Sequence, residues 1–195
     1  MIGNKDTRKL IQALAYLAYK QTDQTLDNMK AYKLLWLADR YHLRQTGRTI
    51  TGDRYYAMPF GIVPSDAKCL LENTKTKMFT PQRYMNKYIT ILENHKYGCI
   101  NEPNLDEFSV SDLEALNKVL ELYNAYSAKQ LSAMSHEFPE WIFYADLLAD
   151  KDKKNSYPID LNRFFEDAPS EHNALFGDSR ELLELTKELY HQYNC

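Results

Sequence analysis

The sequence has few of the features expected in secreted, membrane or zinc-binding proteins. Its three cysteines, Cys69, Cys99 and Cys195, are odd in number and form no CxxC pair, so neither a disulfide framework nor a zinc site is indicated. No apolar run approaches the roughly 18 to 20 residues that a membrane helix needs, and the N-terminus lacks the apolar region of a signal peptide. We therefore expect a cytoplasmic protein with reduced thiols and no membrane contact.

Motifs for catalysis are also missing. The sequence has no GxSxG, no HExxH, no GxGxxG and no GKS/T, so the case for an enzyme is weak and no cofactor is predicted. Asp39 and His42 lie three residues apart on a predicted helix, and with Asp53 and Asp66 they could form a metal cluster. Without a second histidine at i+4, a hydrogen-bonded structural role is favoured, and His136 is more typical of a helix cap than of a base. The protein is expected to fold without metal.

The net charge of −3 hides an asymmetry between the two halves of the chain. Residues 1–100 carry 16 Lys or Arg against 8 Asp or Glu, whereas residues 101–195 carry 8 against 19. This pattern indicates either two halves that attract each other within one fold or a basic surface for an acidic partner. Direct nucleic-acid binding is not expected, because phosphate contacts would need a denser basic patch.

With 195 residues, 44% of them hydrophobic, the chain is long enough for one domain with an extension. The predicted fold class is mainly α (α+β), a compact helical domain with a small antiparallel β-sheet. Hydrophobic periodicity predicts helices over 6–20, 28–47, 64–74, 111–123, 127–136, 141–148 and 178–193, and strands over 54–58, 88–92 and 97–100. The three strands are expected to form the small antiparallel sheet together. Candidate caps are Asp6 or Thr7, Asp23 or Thr25, Gly47, and a Ser111–Glu114 capping box. Pro59, Gly61 and Pro64 predict an irregular loop.

The central helix, 28–47, is expected to be buried on several faces, because apolar residues fall on two of its sides. Its remaining side carries four cations whose charged heads should stay in water while their stems cover apolar neighbours. We call Lys30, Lys33, Arg40 and Arg44 the basic arc. It is either an ordinary solvated face or a docking site for an acidic partner.

Residues 150–158 form the clearest linker, because this tract mixes charges with Asn and Ser. It predicts two parts, 1–149 and a C-terminal helical extension over 150–195 that packs on or beside the first. Truncation after Asp150 should then leave a folded domain, unless Phe164, Phe165 and Leu185 pack back onto the core.

The segment 33–66 reads KLLWLADRYHLRQTGRTITGDRYYAMPFGIVPSD and resembles the Panacea antitoxin domain family, which includes SocA-like and GepA-type phage-associated proteins. That family couples a KLLYLAD-like helix to a GRPITGDxYxAMxxGPVP segment. The resemblance continues over 111–123 and in the pattern S-H-x-x-x-x-W at Ser135, His136 and Trp141, so it covers about 6–145. Departures are modest: Trp36 replaces a frequent tyrosine, and Thr49 and Ile62 each replace a proline.

The resemblance implies a mainly helical binding module that neutralises a cognate protein toxin encoded nearby, without catalysis. Some members of the family carry an additional DNA-binding region, which is not expected here because only a short lead precedes the first predicted helix. Delivery of the toxin to a protease as an adaptor stays open, as does a metal-dependent enzyme using Asp39, His42 and Asp53. Tyrosine and arginine favour interfaces, and loops often carry function. We therefore expect toxin binding at Arg40, Arg44, Arg48, Asp53, Arg54, Tyr55, Tyr56, Met58 and Phe60. Asp53 could instead bond the backbone of its own turn.

Overall fold

Helix α2, Asn28–Thr46, lies at the centre of the fold, and 14 of its 19 residues are buried. Its N-cap is Asp27, whose side chain accepts a hydrogen bond from the amide three residues ahead, and it ends at Gly47 in the left-handed conformation (φ 77°). The predicted end is therefore confirmed. The predicted caps Asp23 and Thr25 are wrong, because they hydrogen-bond each other at the start of a short strand that precedes the helix.

The computed structural model describes residues 4–72, 82–150 and 152–193. The other helices are α1 (Asn4–Tyr19), α3 (Ser65–Leu71), α4 (Gln82–Tyr88), α5 (Val110–Tyr123), α6 (Ala128–Ser135), α7 (Pro139–Ile142), α8 (Ala145–Ala149), α9 (Asn173–Phe176) and α10 (Arg180–Tyr193), with 3-10 helices at Leu105–Glu107, Leu161–Phe165 and Ser170–His172. The predicted mainly helical class is confirmed. Residues 73 and 74 of the predicted third helix lie outside the described residues. Within the described ranges, no helix is long and apolar enough to span a membrane.

The strands form two three-stranded antiparallel sheets. The strands are β1 (Thr25–Asp27), β2 (Tyr55–Met58), β3 (Gly61–Pro64), β4 (Ile89–Leu92), β5 (Lys96–Cys99) and β6 (Tyr157–Pro158). One sheet has the order β1-β5-β4 and the other β3-β2-β6, so placing β2 in one sheet with β4 and β5 was wrong. The expected irregular loop is also corrected, since 61–64 pairs with β2.

The longer helices that begin after residue 100 start next to N-capping residues. Ser109 and Asp112 form the capping box of α5, two residues before the predicted Ser111–Glu114 pair, which was therefore wrong. Helix α6 begins next to Ser127 as predicted, with Ser127 as its N-cap and Gln130 completing a second capping box. A proline opens α7, as its fixed φ favours.

Ion pairs between the basic first half of the chain and its acidic second half connect the two halves within the fold. Buried carboxylates of the second half meet cations of the first at 2.7 to 3.0 Å. These pairs are Lys9–Asp112, Arg40–Glu140, Arg44–Asp178 and Arg48–Asp112. Attraction between the halves, the first of the two interpretations, is thus part of what holds α1 and the residues after α2 to α5, and α2 to α7 and the segment before α10.

The C-terminal segment, residues 152–193, packs against the rest of the chain. Strand β6 pairs with β2, and α10 lies along α2. Phe164 and Phe165 are buried in the common core, whereas Leu185 is 56% exposed. The division between 149 and 150 stays a prediction, and a truncation tests it.

Candidate protein-interaction site

Strands β2 and β3 form a hairpin with a two-residue turn, and Phe60 in this turn is 69% exposed. Side chains alternate between the two faces of a strand, so Arg54, Tyr56 and Met58 share the outward face while the residues between them are buried. We call Arg54, Tyr56, Met58 and Phe60 the hairpin surface. It joins aromatic area to a positive charge on one short element.

The backbone of this turn is held by side chains from three helices, α2, α6 and α7. Three carbonyl groups of the hairpin accept hydrogen bonds from a buried lysine, a serine and a tryptophan. The bonds are Lys33 Nζ to Phe60 O (2.8 Å) and Ile62 O (2.7 Å), Ser132 Oγ to Phe60 O (2.7 Å), and Trp141 Nε1 to Met58 O (2.9 Å). The turn therefore presents its aromatic side chain from a fixed backbone, which lowers the entropy lost on binding.

Gly61 is required at the position after the turn. Its φ of +93° lies in the left-handed region, and a Cβ atom there would lie 1.9 Å from Ser135 Oγ and 2.8 Å from Lys33 Nζ. A side chain would displace the lysine from the carbonyls that it binds. The glycine thus allows the hairpin to approach α2 and α6.

Lys33 is fully buried, and its hydrogen bonds go to uncharged carbonyl groups. Burial lowers its pKa from 10.5 to about 7. Burial also lowers the pKa of His136, and the positive charge of Lys33 lowers it further. The expectation that Lys33 keeps its charged head in water is therefore wrong, because the hairpin covers it.

Replacing Lys33 by methionine is expected to change how stability depends on pH. Between pH 7 and 10.5 the unfolded chain holds more protons on this lysine than the folded protein does, so wild-type stability rises with pH. From pH 7 to pH 9, the wild type should gain about 2 kcal/mol relative to Lys33→Met. Denaturant unfolding at several pH values measures this gain. Lys118→Met, on the exposed side of α5, is the matched control and should keep the wild-type pH dependence, whereas parallel curves for wild type and Lys33→Met would contradict the expectation.

Two of the three carboxylates considered as metal ligands, Asp39 and Asp53, accept several hydrogen bonds each, whereas Asp66 pairs with Arg54 through one oxygen and its other oxygen is buried without a hydrogen bond. Asp39 accepts bonds from the backbone amides of Ile50 and Thr51 and from the Tyr55 hydroxyl, at 2.7 to 3.2 Å. Asp53 accepts three backbone amides, from the next residue and from the first turn of α3, at 2.6 to 2.8 Å. His42 lies between the Arg48 carbonyl and Ser111 Oγ, at 2.8 and 3.0 Å. The structural interpretation of Asp39, Asp53 and His42 is therefore confirmed.

The nine predicted contact residues divide into two sets. The exposed or partly exposed ones are Arg48, Arg54, Tyr56, Met58 and Phe60, and the buried ones are Arg40, Arg44, Asp53 and Tyr55. The placement of the second set on a surface was wrong, since their polar groups bond to other parts of the chain. The two buried arginines of the basic arc contact Glu140, Asp178 and carbonyl groups of 164–176, so neither is solvated or open to a partner. Of the four members of the arc, Lys30 is partly exposed.

A groove of about 550 Å³ lies beside the turn. Its apolar lining comes from α2, β2 and β3, and Phe60 stands at its edge. The apolar side chains that line it are Met29, Tyr32, Met58, Phe60 and Val63, with Lys68 and Glu72 among the polar ones. The groove extends the hairpin surface by a concave part that an apolar side chain of a partner could enter.

Sequence reasoning missed Ser132 and did not connect Lys33 with the hairpin. The signal that could have found the connection is the pattern at Ser135, His136 and Trp141, because these residues accompany the hairpin motif in the family resemblance. In the structure this pattern contacts the hairpin: Trp141 Nε1 donates to the carbonyl of Met58 at the end of β2, and the ring centroids of Trp141 and His136 are 4.1 Å apart.

Comparison with known proteins gives the family of this chain. The family model for the antitoxin SocA-like Panacea domain matches residues 32–142, a narrower range than 6–145 but more than half of the chain. It includes the hairpin, Lys33, Ser132 and Trp141. No curated protein and no solved structure matches the chain. On the strength of the family match, this chain belongs to the SocA-like Panacea antitoxin family.

Proposed function

We propose that this protein is an antitoxin that neutralises a cognate protein toxin by direct binding through the hairpin surface. The observation that carries the proposal is Phe60, a 69% exposed aromatic side chain on a turn whose carbonyl groups are held by Lys33, Ser132 and Trp141. Binding energy concentrates in a few aromatic and arginine side chains that are presented on a rigid backbone. The hairpin surface supplies both types.

The groove beside Phe60 supports the same proposal. An exposed aromatic side chain next to a concave apolar surface allows partners to interlock, as in hot-spot pairs at protein interfaces. Arg54 stands at the start of β2 with its side chain 62% exposed, and it is paired with Asp66 at 3.0 Å. That pair leaves most of the guanidinium open to an acidic group of the partner, which would fix orientation more than affinity.

Three substitutions test the surface: Phe60→Ala, Tyr56→Ala and Arg54→Glu. Each should abolish neutralisation when the product of the adjacent reading frame is induced in a bacterial host and growth is measured. Circular dichroism and melting temperature should stay near those of the wild type, since these side chains lie largely outside the core. Val110→Ala is the control, because Val110 is 75% exposed at the start of α5.

Full neutralisation by all three folded variants would move the interface elsewhere. The next candidate is the acidic side of α10 with Glu181, Glu184 and Glu188, which Leu185→Ala tests. Direct inhibition should also persist in a purified translation or growth-target assay without protease. Loss of inhibition there, with neutralisation retained in cells, would instead favour delivery of the toxin to a protease.

A further inference from the structure

Two glutamates and a histidine from separate parts of the chain meet on the side of the molecule formed by α5 and α6. Glu137 follows α6, whereas Glu171 and His172 lie on a 3-10 helix of the C-terminal segment. One ligand atom of each lies within 4.8 Å of the other two, the one such group in the ranges that the structure describes. His172 Nε2 is 3.7 Å from Glu171 Oε1.

The histidine nitrogen that faces the two carboxylates has no hydrogen-bond partner. His172 is 8% exposed, and its Nε2 is buried and unbonded. Buried polar atoms of native proteins are almost always paired with protein, ordered water or an ion, so this nitrogen is open to one of these partners. A zinc ion bound to both Nε2 and a carboxylate oxygen, each about 2.0 to 2.2 Å away, would separate these two atoms by about 3 to 4 Å, which agrees with the observed spacing.

The rest of the imidazole is already oriented. Its Nδ1 lies 3.3 Å from the Tyr123 hydroxyl, and its ring stacks on Phe138 at 5.3 Å between centroids. A proton on Nδ1 would be shared with the tyrosine oxygen and would leave the Nε2 lone pair free for a metal, as outer contacts of metal-bound histidines do. Tyr123 and Phe138 therefore act as positioning residues.

From this geometry we propose that Glu137, Glu171 and His172 bind a zinc-like divalent cation that pins the C-terminal segment to the end of α6. One imidazole and two carboxylates suit Zn²⁺ and neighbouring first-row ions better than Mg²⁺ or Ca²⁺, which prefer oxygen ligands throughout. A cavity of about 430 Å³ borders the three ligands and leaves room for water to complete the coordination. The ion would offset the repulsion of the adjacent carboxylates.

The full-length protein, freed of metal by a chelator, is titrated with Zn²⁺ and separately with Mg²⁺ by calorimetry at pH 7. We expect about one equivalent of Zn²⁺ to bind, Mg²⁺ not to bind, and the melting temperature to rise only with Zn²⁺. Glu137→Gln and Glu171→Gln should each weaken Zn²⁺ binding at least about tenfold, the smallest loss that outer contacts alone cause. Glu184→Gln, on the exposed side of α10, is the matched control and should bind like wild type.

Both substitutions keep the size of an exposed side chain and remove one of two repelling charges, so the metal-free variants should melt at the wild-type temperature or slightly above it. No Zn²⁺ binding by the wild type would overturn the proposal. Undiminished binding in both variants would equally overturn it, because the zinc would then sit on a cysteine or on another histidine.

Discussion

Replacement of Arg44 by methionine is expected to lower the free energy of unfolding by about 3 to 5 kcal/mol, the cost of breaking a buried ion pair from one side. Arg44 is fully buried and bonds Asp178 Oδ2 at 2.7 Å. It also donates to the carbonyl groups of Phe164, Glu166 and Phe176 at 2.9 to 3.1 Å. Methionine keeps the apolar stem and leaves all four acceptors without this donor.

Arg44→Lys should recover only part of the lost stability. The guanidinium of arginine donates to several acceptors at once from a planar fork, and the compact ammonium group of lysine cannot reproduce that geometry. Arg180→Met is the matched control. Arg180 pairs with Glu184 on the exposed side of α10, with 92% of its side chain exposed, so little change is expected. Urea unfolding at pH 7 compares the three variants with the wild type. Equal stability of Arg44→Met and Arg180→Met would contradict the central role of the buried arginine.

Local signals in the sequence were enough for the elements that local chemistry determines. Gly47 ends α2 as predicted because its left-handed conformation needs no partner from elsewhere. Ser127 caps α6, and the alternation of residues 55–58 gives β2. The three predicted strands were assigned to one sheet because the sequence pattern of a strand does not specify which strand it pairs with. The strand that pairs with β2 on its other side, β6, was not predicted, since it is two residues long and lies in the tract that composition identifies as a linker.

The basic arc shows why the candidate site was only partly predictable. A cation on a helix is predicted to be solvent-exposed when no nearby residue in the sequence can pair with it. The partners of Arg40 and Arg44 lie 100 or more residues away in the sequence. The family motif identified the positions that matter but not the purpose of each. Lys33 and Gly61 support the hairpin from inside, whereas Phe60 faces solvent.

A chain that stops after Asp150 is expected not to fold into a monodisperse domain. The C-terminal segment contributes five large apolar side chains to the core, namely Ile159, Phe164, Phe165, Leu175 and Phe176. Burying one such side chain stabilises a protein by about 1.5 to 3 kcal/mol. Five of them therefore match much of the roughly 5 to 15 kcal/mol by which a domain is stable.

The truncation also removes the partners of the buried arginines. Arg44 would lose every bond described above, and Arg40 would lose its bond to the Glu166 carbonyl and its contact with the Phe176 ring at 4.5 Å. Strand β2 would lose β6, which leaves an unpaired edge next to the hairpin surface. Aggregation and loss of cooperative melting should follow, measured by size-exclusion chromatography and calorimetry.

The matched control cuts the chain without removing any of it. A specific protease site placed between Lys153 and Lys154, both exposed, allows cleavage after folding. The nicked protein should stay associated and melt cooperatively, because β6, the phenylalanines and Asp178 remain in place. A monodisperse, cooperatively melting truncation would instead establish the predicted division at 149 and 150. Since the hairpin surface depends on β2, the truncated chain should then also be assayed for neutralisation, which would show whether the family domain binds its toxin without the C-terminal segment.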